Sequence, residues 1–439
     1  MKYFLAIDIG ASSGRHIVGY LENEKTVLDE VYRFPNGVKT IDNHLVWDLE
    51  DLYNNVLEGI KKALLKYKNI ESMAIDTWGV DYVLMDGEKE IMPCYSYRDG
   101  RTKEAIELVH NIIPFNDLYK ITGSQFQEFN TIYQLYYDKI NGRLDKATAF
   151  LHIPEYLTYK LTGKMMHEYT NASTTGLMDG KTFNYSNEII NKLGFKKSLF
   201  SDLYKPGTMV GEFTNDVKNK VGGSIDVVLC ATHDTASAVI GIPMDENAPY
   251  ISSGTWSLLG VKTEEVVVSD EARRANFSNE YGPNYIRLQK NIMGLWIVQK
   301  LSKELNLSFI EMVDIARKSD YQEIFNVNDE CFLSTPSMKD EIKRWLKNHN
   351  KPLPLSDLDL INETYHSLAY SYKKALLELE KITSTKYDKL YIVGGGAKNE
   401  YLNELTKVYT KCNVIALPIE ATAIGNLKIQ MERKIWEMK

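Results

Sequence analysis

Cysteine is scarce and scattered in this chain. The four residues, Cys94, Cys230, Cys331 and Cys412, stand far apart with no C-x-x-C pair, so neither a zinc site nor a redox motif is written locally, and reduced, cytosolic thiols are the plain reading. Long apolar runs are missing too. The first, Tyr3-Phe4-Leu5-Ala6-Ile7, is ended by Asp8 before a signal-peptide core forms, and no stretch approaches the roughly 18 uncharged apolar residues that span a bilayer; a cytoplasmic protein is expected. Positive charge is not in excess: 52 basic against 59 acidic residues give a net charge of -7, which offers no general attraction to nucleic acid or an anionic membrane. An anionic ligand must therefore be held by a local device. That device is not a Walker-type loop, because no G-x-x-x-x-G-K-[ST] string occurs.

What is present is enough for two cores. A chain of 439 residues, 44% hydrophobic and 25% charged, exceeds what one hydrophobic core usually serves, so two domains with a ligand cleft between them are expected. Residues 3–34 read as a three-stranded meander with turns at Gly10–Gly14 and near Glu22–Glu24. Asp48 is a fitting cap for a helix whose apolar face runs through Leu49, Leu52, Tyr53, Val56, Leu57, Ile60, Ala63 and Leu64. Strands follow at Ser72–Trp78 and Tyr82–Met85. Residues 102–200 form a largely helical lobe, and a strand at Ile225–Ala231 runs into His233-Asp234. The second half opens like the first, since Tyr250–Val261 is again strand, small polar turn and strand, a weak internal repeat. Helices are expected at about Asn291–Leu305, Phe309–Lys318, Asp340–His349, Asp359–Thr383 and Ile424–Arg433, with a strand at Lys389–Val393 before Gly394-Gly395-Gly396.

The chemistry gathers at the turns. Asp234, at the mouth of a buried strand, is a candidate general base and equally a candidate helix cap. His233 beside it is more readily a polar partner than a catalyst. The turns Gly10–Arg15, Ser252–Ser257 and Gly394–Gly396 each present backbone N–H groups to a phosphate, although each taken alone is also an ordinary hairpin or loop. Asp8 beside the first turn is placed to hold a magnesium ion, usually through water. Asp76-Thr77-Trp78-Gly79-Val80-Asp81 has a composition suited to a sugar, or to a strand end with a partly buried tryptophan. Tyr97–Thr102 reads equally as a salt-bridged surface loop. One proton acceptor and three phosphate cradles together suggest phosphoryl transfer from a nucleotide to a hydroxyl.

The strings Gly10–Arg15, Asp76–Asp81, Tyr97–Thr102, Tyr169–Thr175, His233–Ala238, Ser252–Ser257, Asn291–Trp296 and Ile392–Gly396, in this order and approximate spacing, resemble the FGGY carbohydrate kinases over nearly the whole chain, and within them the branch acting on L-rhamnulose. The resemblance implies an α/β, two-domain ribonuclease H-like, actin-like ATPase fold with ATP and sugar in the inter-domain cleft. It implies an N-terminal domain over residues 1–244, holding the sugar, the first phosphate hairpin and the catalytic acid, and a nucleotide-binding domain over 245–439. It further implies that Asp234 is the base and that Gly79, His233, Asp234, Thr235 and Asn291 contact the sugar. Ala11, Ser12, Ser13, Gly14, Arg15, Thr255, Gln299, Gly395 and Gly396 are implied to contact ATP, with Mg²⁺ at Asp8. The implied reaction places the γ-phosphoryl group of ATP on O1 of L-rhamnulose. The implied partner is a small-molecule ketose, with no nucleic acid or membrane, and the protein is a monomer or homodimer. Other ketoses such as L-fuculose or a xylulose remain alternatives, as does an actin-like ATPase switch that is not a kinase. Related chains continue beyond the segment matching Glu420–Asn426, and the shorter end is expected to bear on stability or oligomeric contacts more than on chemistry.

Overall fold

The computed structural model of the chain describes residues 1–433 except Glu24, Glu246, Ser334 and Pro418. The far side of the turn expected near Glu22–Glu24 and the last six residues of the expected second domain lie outside the described residues. The fold divides into two compact units. The first comprises Met1–Ile242, Glu264–Arg287 and the chain from Glu420 onward; the second comprises Pro243–Thr263 and Leu288–Ile419. Among the described residues no helix is long and apolar enough to cross a membrane.

In the first unit, β1 (Tyr3–Ile9), β2 (Ser13–Glu22) and β3 (Lys25–Pro35) form the expected meander. β1 also lies parallel to β4 (Ile70–Thr77), which lies parallel to β5 (Asp226–Val228). With the edge strand Met209–Gly211 the sheet order is Met209–Gly211, β5, β4, β1, β2, β3. Central β1 is apolar without alternation, Leu5, Ala6, Ile7 and Ile9 being fully buried, because helices cover both faces of the sheet. On one side lies α1 (Leu49–Lys66), capped by Asp48, whose side chain accepts the Asp51 N–H. Leu52, Val56, Ile60 and Ala63 recur at three- and four-residue spacing on its buried face. Ala6 and Ile17 pack instead against Ala423 and Leu427 of the last helix, Ala421–Met431.

That last helix also packs on α2 (Asp234–Gly241) through small residues. A Cβ on Gly241 would come within 2.0 Å of the Ala421 carbonyl oxygen, and one on Gly425 within 1.8 Å of the Ser237 oxygen. Only glycine lets the two backbones approach this closely. The lobe between residues 102 and 200 is helical as expected, with helices Lys103–Ile112, Phe115–Thr122, Thr131–Ile140 and Ile153–Thr162 around its own core of Leu118, Ile132, Tyr133, Leu135, Phe150 and Ile189.

The second unit repeats the sheet. β6 (Tyr250–Ser253) is antiparallel to β7 (Trp256–Thr263), and the order β8 (Ile286–Met293), β7, β6, β9 (Lys389–Val393), β10 (Asn413–Ala416) matches β3-β2-β1-β4-β5 of the first unit. β6 is parallel to β9, and β9 to β10. The repeat read from the sequence is thus one topology used twice. α3 (Trp296–Leu305), α4 (Asp357–Thr383) and α5 (Glu400–Thr410) flank it, and α6 (Ala421–Met431) is the last helix described above.

Three expectations are corrected. Asn291 is not helical: it lies in β8, and the helix starts only at Trp296. Gly294 ends the strand by packing on the β6–β7 turn, where a Cβ would sit 2.6 Å from the Gly254 oxygen. Asp234 is the first residue of α2, and the cap position belongs to His233. Tyr97–Thr102 is a surface loop only in part: Arg98 and Gly100 are exposed, whereas Arg101 is buried and donates to Gln134 Oε1 at 2.5 Å and to the Ser96 carbonyl at 3.2 Å.

Candidate active site

In the first unit, parallel pairing of β1 and β4 places Asp8 directly opposite Asp76 at the strand ends. The antiparallel β1–β2 hairpin places Arg15 opposite Asp8 on its other side. An isolated parallel bridge joins Thr77 to His233, and α2 begins immediately afterwards at Asp234. Three acids from three separate segments therefore act on one another. Burial pushes the Asp8 carboxyl up from its ordinary range; Arg15 opposes this, and the charges of Asp234 and Glu420 add to it. Asp76, fully buried, is pushed well up by burial first and by Asp8 next, against a hydrogen bond from Asn426. Asn426 Nδ2 donates to Asp76 Oδ2 at 2.6 Å, while Oδ1 has no hydrogen-bond partner among the described residues. Asp234 is more open, its side chain 31% exposed. Its Oδ1 accepts from the Thr235 N–H at 2.6 Å and from Thr235 Oγ1 at 3.1 Å, which fixes the carboxylate at the first turn of α2.

The β1–β2 turn is tied by the Gly10 N–H to the Ser13 carbonyl at 2.9 Å, with Ser12 exposed and Ala11 and Ser13 half-buried. Gly14 has no room for a side chain: a Cβ would lie 2.1 Å from the Phe34 ring. Arg15 Nη1 reaches Glu420, the cap-position residue of α6, at 2.5 Å.

Gly79 follows β4 beside His233. A Cβ there would stand 3.1 Å from Thr174 and 3.3 Å from His233 Cδ2. Val80 takes φ +67°, a costly conformation for a β-branched residue. It is held there by its N–H to Thr174 Oγ1 at 3.2 Å and by its carbonyl, which accepts from Thr131 Oγ1 at 2.8 Å and Gln134 Nε2 at 3.3 Å. Trp78 and Asp81 are internal. Asp81 Oδ2 accepts both indole N–H groups, Trp47 at 2.7 Å and Trp78 at 3.0 Å, together with the Tyr97 N–H.

In the second unit, the turn after β6, the glycines after β9 and the start of α3 converge. Gly394 and Gly396 lie against Ser253, where Cβ atoms would come within 2.7 Å of its carbonyl oxygen and 1.9 Å of its Oγ respectively. Gly395 meets nothing within 4 Å, which leaves bare backbone open to a flat ligand. The Leu295 and Trp296 N–H groups donate to the Gly254 and Thr255 carbonyls at 2.8 and 3.2 Å. Exposed Thr255, half-buried Gln299 on α3 and Gly395 and Gly396 therefore share one neighbourhood. Asn291 lies on β8 in this unit, its Oδ1 buried without a hydrogen-bond partner among the described residues.

Four participants escape a reading of local strings: Asp76 as part of the acid cluster, Asn426 and Glu420 from the last helix, and Glu280, whose Oε2 lies 3.1 Å from His233 Nδ1. Their contacts span 350, 405 and 47 residues for the last three, a separation no short motif records. Elsewhere, buried His152, Glu155 and His167 form a cluster with ligand atoms within 4.8 Å of one another. Two imidazoles and one carboxylate are a nitrogen-rich set unlike the oxygen ligands that magnesium takes.

A sheet used twice, a small polar turn in the first hairpin of each copy and a carboxylate at a helix start beside two further acids define a two-domain α/β phosphotransferase of the actin-like ATPase class. Comparison with known proteins agrees. Residues 3–241 match the N-terminal domain, and residues 249–432 the C-terminal domain, of the FGGY family of carbohydrate kinases. The chain belongs to that family and is an ATP-dependent carbohydrate kinase. It is 42% identical over 97% of its length to the rhamnulokinase of Oceanobacillus iheyensis, covering 92% of that protein. It is 39% identical over 98% of its length to the rhamnulokinase of Bacillus subtilis, covering 90%. Among solved structures, the xylulose kinase of Lactobacillus acidophilus superposes with a TM-score of 0.82 over 99% of this chain and 90% of that one at 15% identity. The glycerol kinase of Plasmodium falciparum gives 0.76 over 99% and 92% at 18% identity.

Proposed function

We propose that this kinase transfers the γ-phosphoryl group of ATP to O1 of L-rhamnulose, giving L-rhamnulose 1-phosphate and ADP. The observation that carries the chemistry is Asp234, a part-open carboxylate fixed at the start of α2 within reach of the charges of Asp8 and Asp76. The choice of ketose is supported by the rhamnulokinase relatives at about 40% identity over nearly the whole chain.

In this reading the N-terminal domain, 1–244, takes the sugar at Gly79, His233, Asp234 and Thr235, and the C-terminal domain, 245–439, takes the nucleotide at Thr255, Gln299, Gly395 and Gly396, with Asn291 adding a sugar contact. Ala11, Ser12, Ser13, Gly14 and Arg15 receive phosphate oxygens. Asp234 accepts the proton of the O1 hydroxyl as that oxygen bonds to the γ-phosphorus and the bond to the ADP oxygen breaks. Because the transition state is loose, the carboxylate serves chiefly to orient the hydroxyl, and backbone amides and Arg15 receive the charge spread over the transferring group.

Magnesium is a fitting partner. The orphaned Asp76 Oδ1 and the mutual repulsion of Asp8 and Asp76 are what a hard divalent cation relieves. Asp8 is the residue that would hold it, directly or through water, with Asp76 beside it; when bound, it neutralises negative charge on the phosphates.

The test is ADP release with Mg·ATP across L-rhamnulose, L-fuculose, L-xylulose, D-xylulose, L-ribulose and glycerol, with a no-sugar control. Stimulation by L-rhamnulose above all others supports the proposal. Stimulation by a different acceptor moves the substrate and keeps the kinase.

A further inference from the structure

Arg287 is fully buried, although burying a guanidinium is costly unless it is paired. Its Nη2 donates to Glu280 Oε2 at 3.1 Å and to the Tyr281 carbonyl at 3.5 Å. The same Glu280 oxygen lies 3.1 Å from His233 Nδ1, and His233 Nε2 lies 3.5 Å from Asp234 Oδ1. The contact to Nδ1 is close without the alignment of a hydrogen bond, so its influence is electrostatic.

Glu280 and Arg287 come from the second half of the sequence, yet segment Glu264–Arg287 belongs to the first unit. It is stitched there by Tyr119 OH donating to the Phe277 carbonyl at 2.8 Å, the Asn279 N–H and Nδ2 donating to the Gly123 carbonyl at 2.9 Å, and the Tyr281 N–H donating to Ser173 Oγ at 2.9 Å. These contacts leave the arm little freedom to shift against His233.

We infer that Glu280, anchored by Arg287, is a positioning residue that holds His233 as the Nδ1–H tautomer and so presents Nε2 as a hydrogen-bond acceptor to a sugar hydroxyl. Two carboxylates flank the ring, but the Glu280 oxygen is the nearer, at 3.1 Å against 3.5 Å, and Asp234 Oδ1 already accepts from the Thr235 N–H and hydroxyl, so the proton is favoured on Nδ1 and the lone pair is left on Nε2. A site built to accept a hydrogen bond discriminates strongly against an acceptor that lacks the donor hydroxyl. The second half of the chain thereby shapes the specificity of a pocket in the first unit. The inference rests on the proposed contact between His233 and the ketose.

The test uses the full chain as His233→Asn, Glu280→Gln and the double variant, with KM for ketose, KM for ATP and kcat measured in each. The Glu280→Gln/Arg287→Gln pair serves as a variant in which no buried charge is left alone. Glu280→Gln is expected to raise the ketose KM about tenfold, with ATP KM unchanged and kcat moved less, and to add nothing in the His233→Asn background. In ¹⁵N spectra, the His233 ring signals, assigned by their loss in His233→Asn, are expected to show Nδ1 protonated in the unaltered protein and a tautomer mixture in Glu280→Gln. The paired Gln variant is expected to retain its fold and to show the same ketose defect. If Glu280→Gln raises the ketose KM equally with and without His233, or leaves the tautomer unmoved, the positioning role is wrong. If His233→Asn itself leaves the ketose KM unchanged, the proposed sugar contact fails instead.

Discussion

Arg15 Nη2 donates to Asp8 Oδ2 at 2.6 Å across the first hairpin, so a buried acid and the residue proposed to meet phosphate are partners. Removing the guanidinium leaves Asp8 buried without its main opposing charge, a loss of about 3–5 kcal/mol for a broken buried pair. An acid whose folded pKa is raised binds its proton more tightly folded than unfolded, so its contribution to stability falls as pH rises through that interval. Arg15→Met pushes the Asp8 pKa further up and is therefore expected to lose Tm relative to the unaltered protein by an amount that grows as pH rises. Parallel Tm curves would show that Asp8 does not depend on Arg15. Arg15→Lys keeps the charge but not the fork that spans Asp8 and Glu420, and a raised KM for ATP at near-normal stability is expected.

Asp234→Asn preserves size and keeps an oxygen for the Thr235 N–H while removing proton acceptance. A fall of about 10²–10⁴-fold in kcat is expected, with ATP affinity retained by calorimetry. Turnover within a few-fold of normal would remove Asp234 from the base role.

Gly396→Ala places a methyl group 1.9 Å from Ser253 Oγ and 2.5 Å from its Cβ. Overpacking of this kind costs about 1–3 kcal/mol, and here it also displaces the turn proposed to face the nucleotide. Ser253→Gly removes both clashing atoms, so the double variant is expected to regain part of the Tm and of the ATP affinity lost by Gly396→Ala. No recovery would place the glycine requirement in the ligand contact instead of the packing.

The legible parts of this protein are those written locally. Both hairpins, α1 with its Asp48 cap and the β9–glycine turn each depend on residues within about a dozen positions, and strand alternation, capping and small turn residues mark them. Asp234 was conspicuous for the same reason, although its place in the first turn of α2 and not at the cap depended on the Thr77–His233 bridge, a contact between segments. Asn291 reads as helical in the sequence because the apolar residues around it suit a buried strand and a helix equally, and Gly294 packing on a distant turn decides for the strand. The run Asp76–Asp81 suits a sugar or a strand end with a partly buried tryptophan by composition alone, and at Asp81 two indoles and a backbone amide occupy the carboxylate. The strain at Val80 has no sequence signature, since Thr131, Gln134 and Thr174 impose it from other segments.

Glu363, in the second turn of α4, carries a pH dependence of the opposite origin to a salt bridge. It is fully buried, and neither carboxylate oxygen has a hydrogen-bond partner among the described residues. Burial first and the charge of Glu323 next push its pKa up to about 8, against the pull of Lys351, with Asp359 adding a lesser push upward. The unfolded chain ionises this group near 4.5, so between that pH and about 8 the folded state alone keeps the proton. Stability from this site therefore falls as pH rises across that window and levels off above it, a total of the order of a few kcal/mol. Glu363→Gln has nearly the same shape and cannot ionise. It is expected to match the unaltered protein in Tm at pH 5 and to exceed it by a few degrees at pH 8.5, with unchanged ketose KM. An equal Tm difference at both pH values would mean that Glu363 is ionised in the folded protein throughout, and that Lys351 outweighs burial.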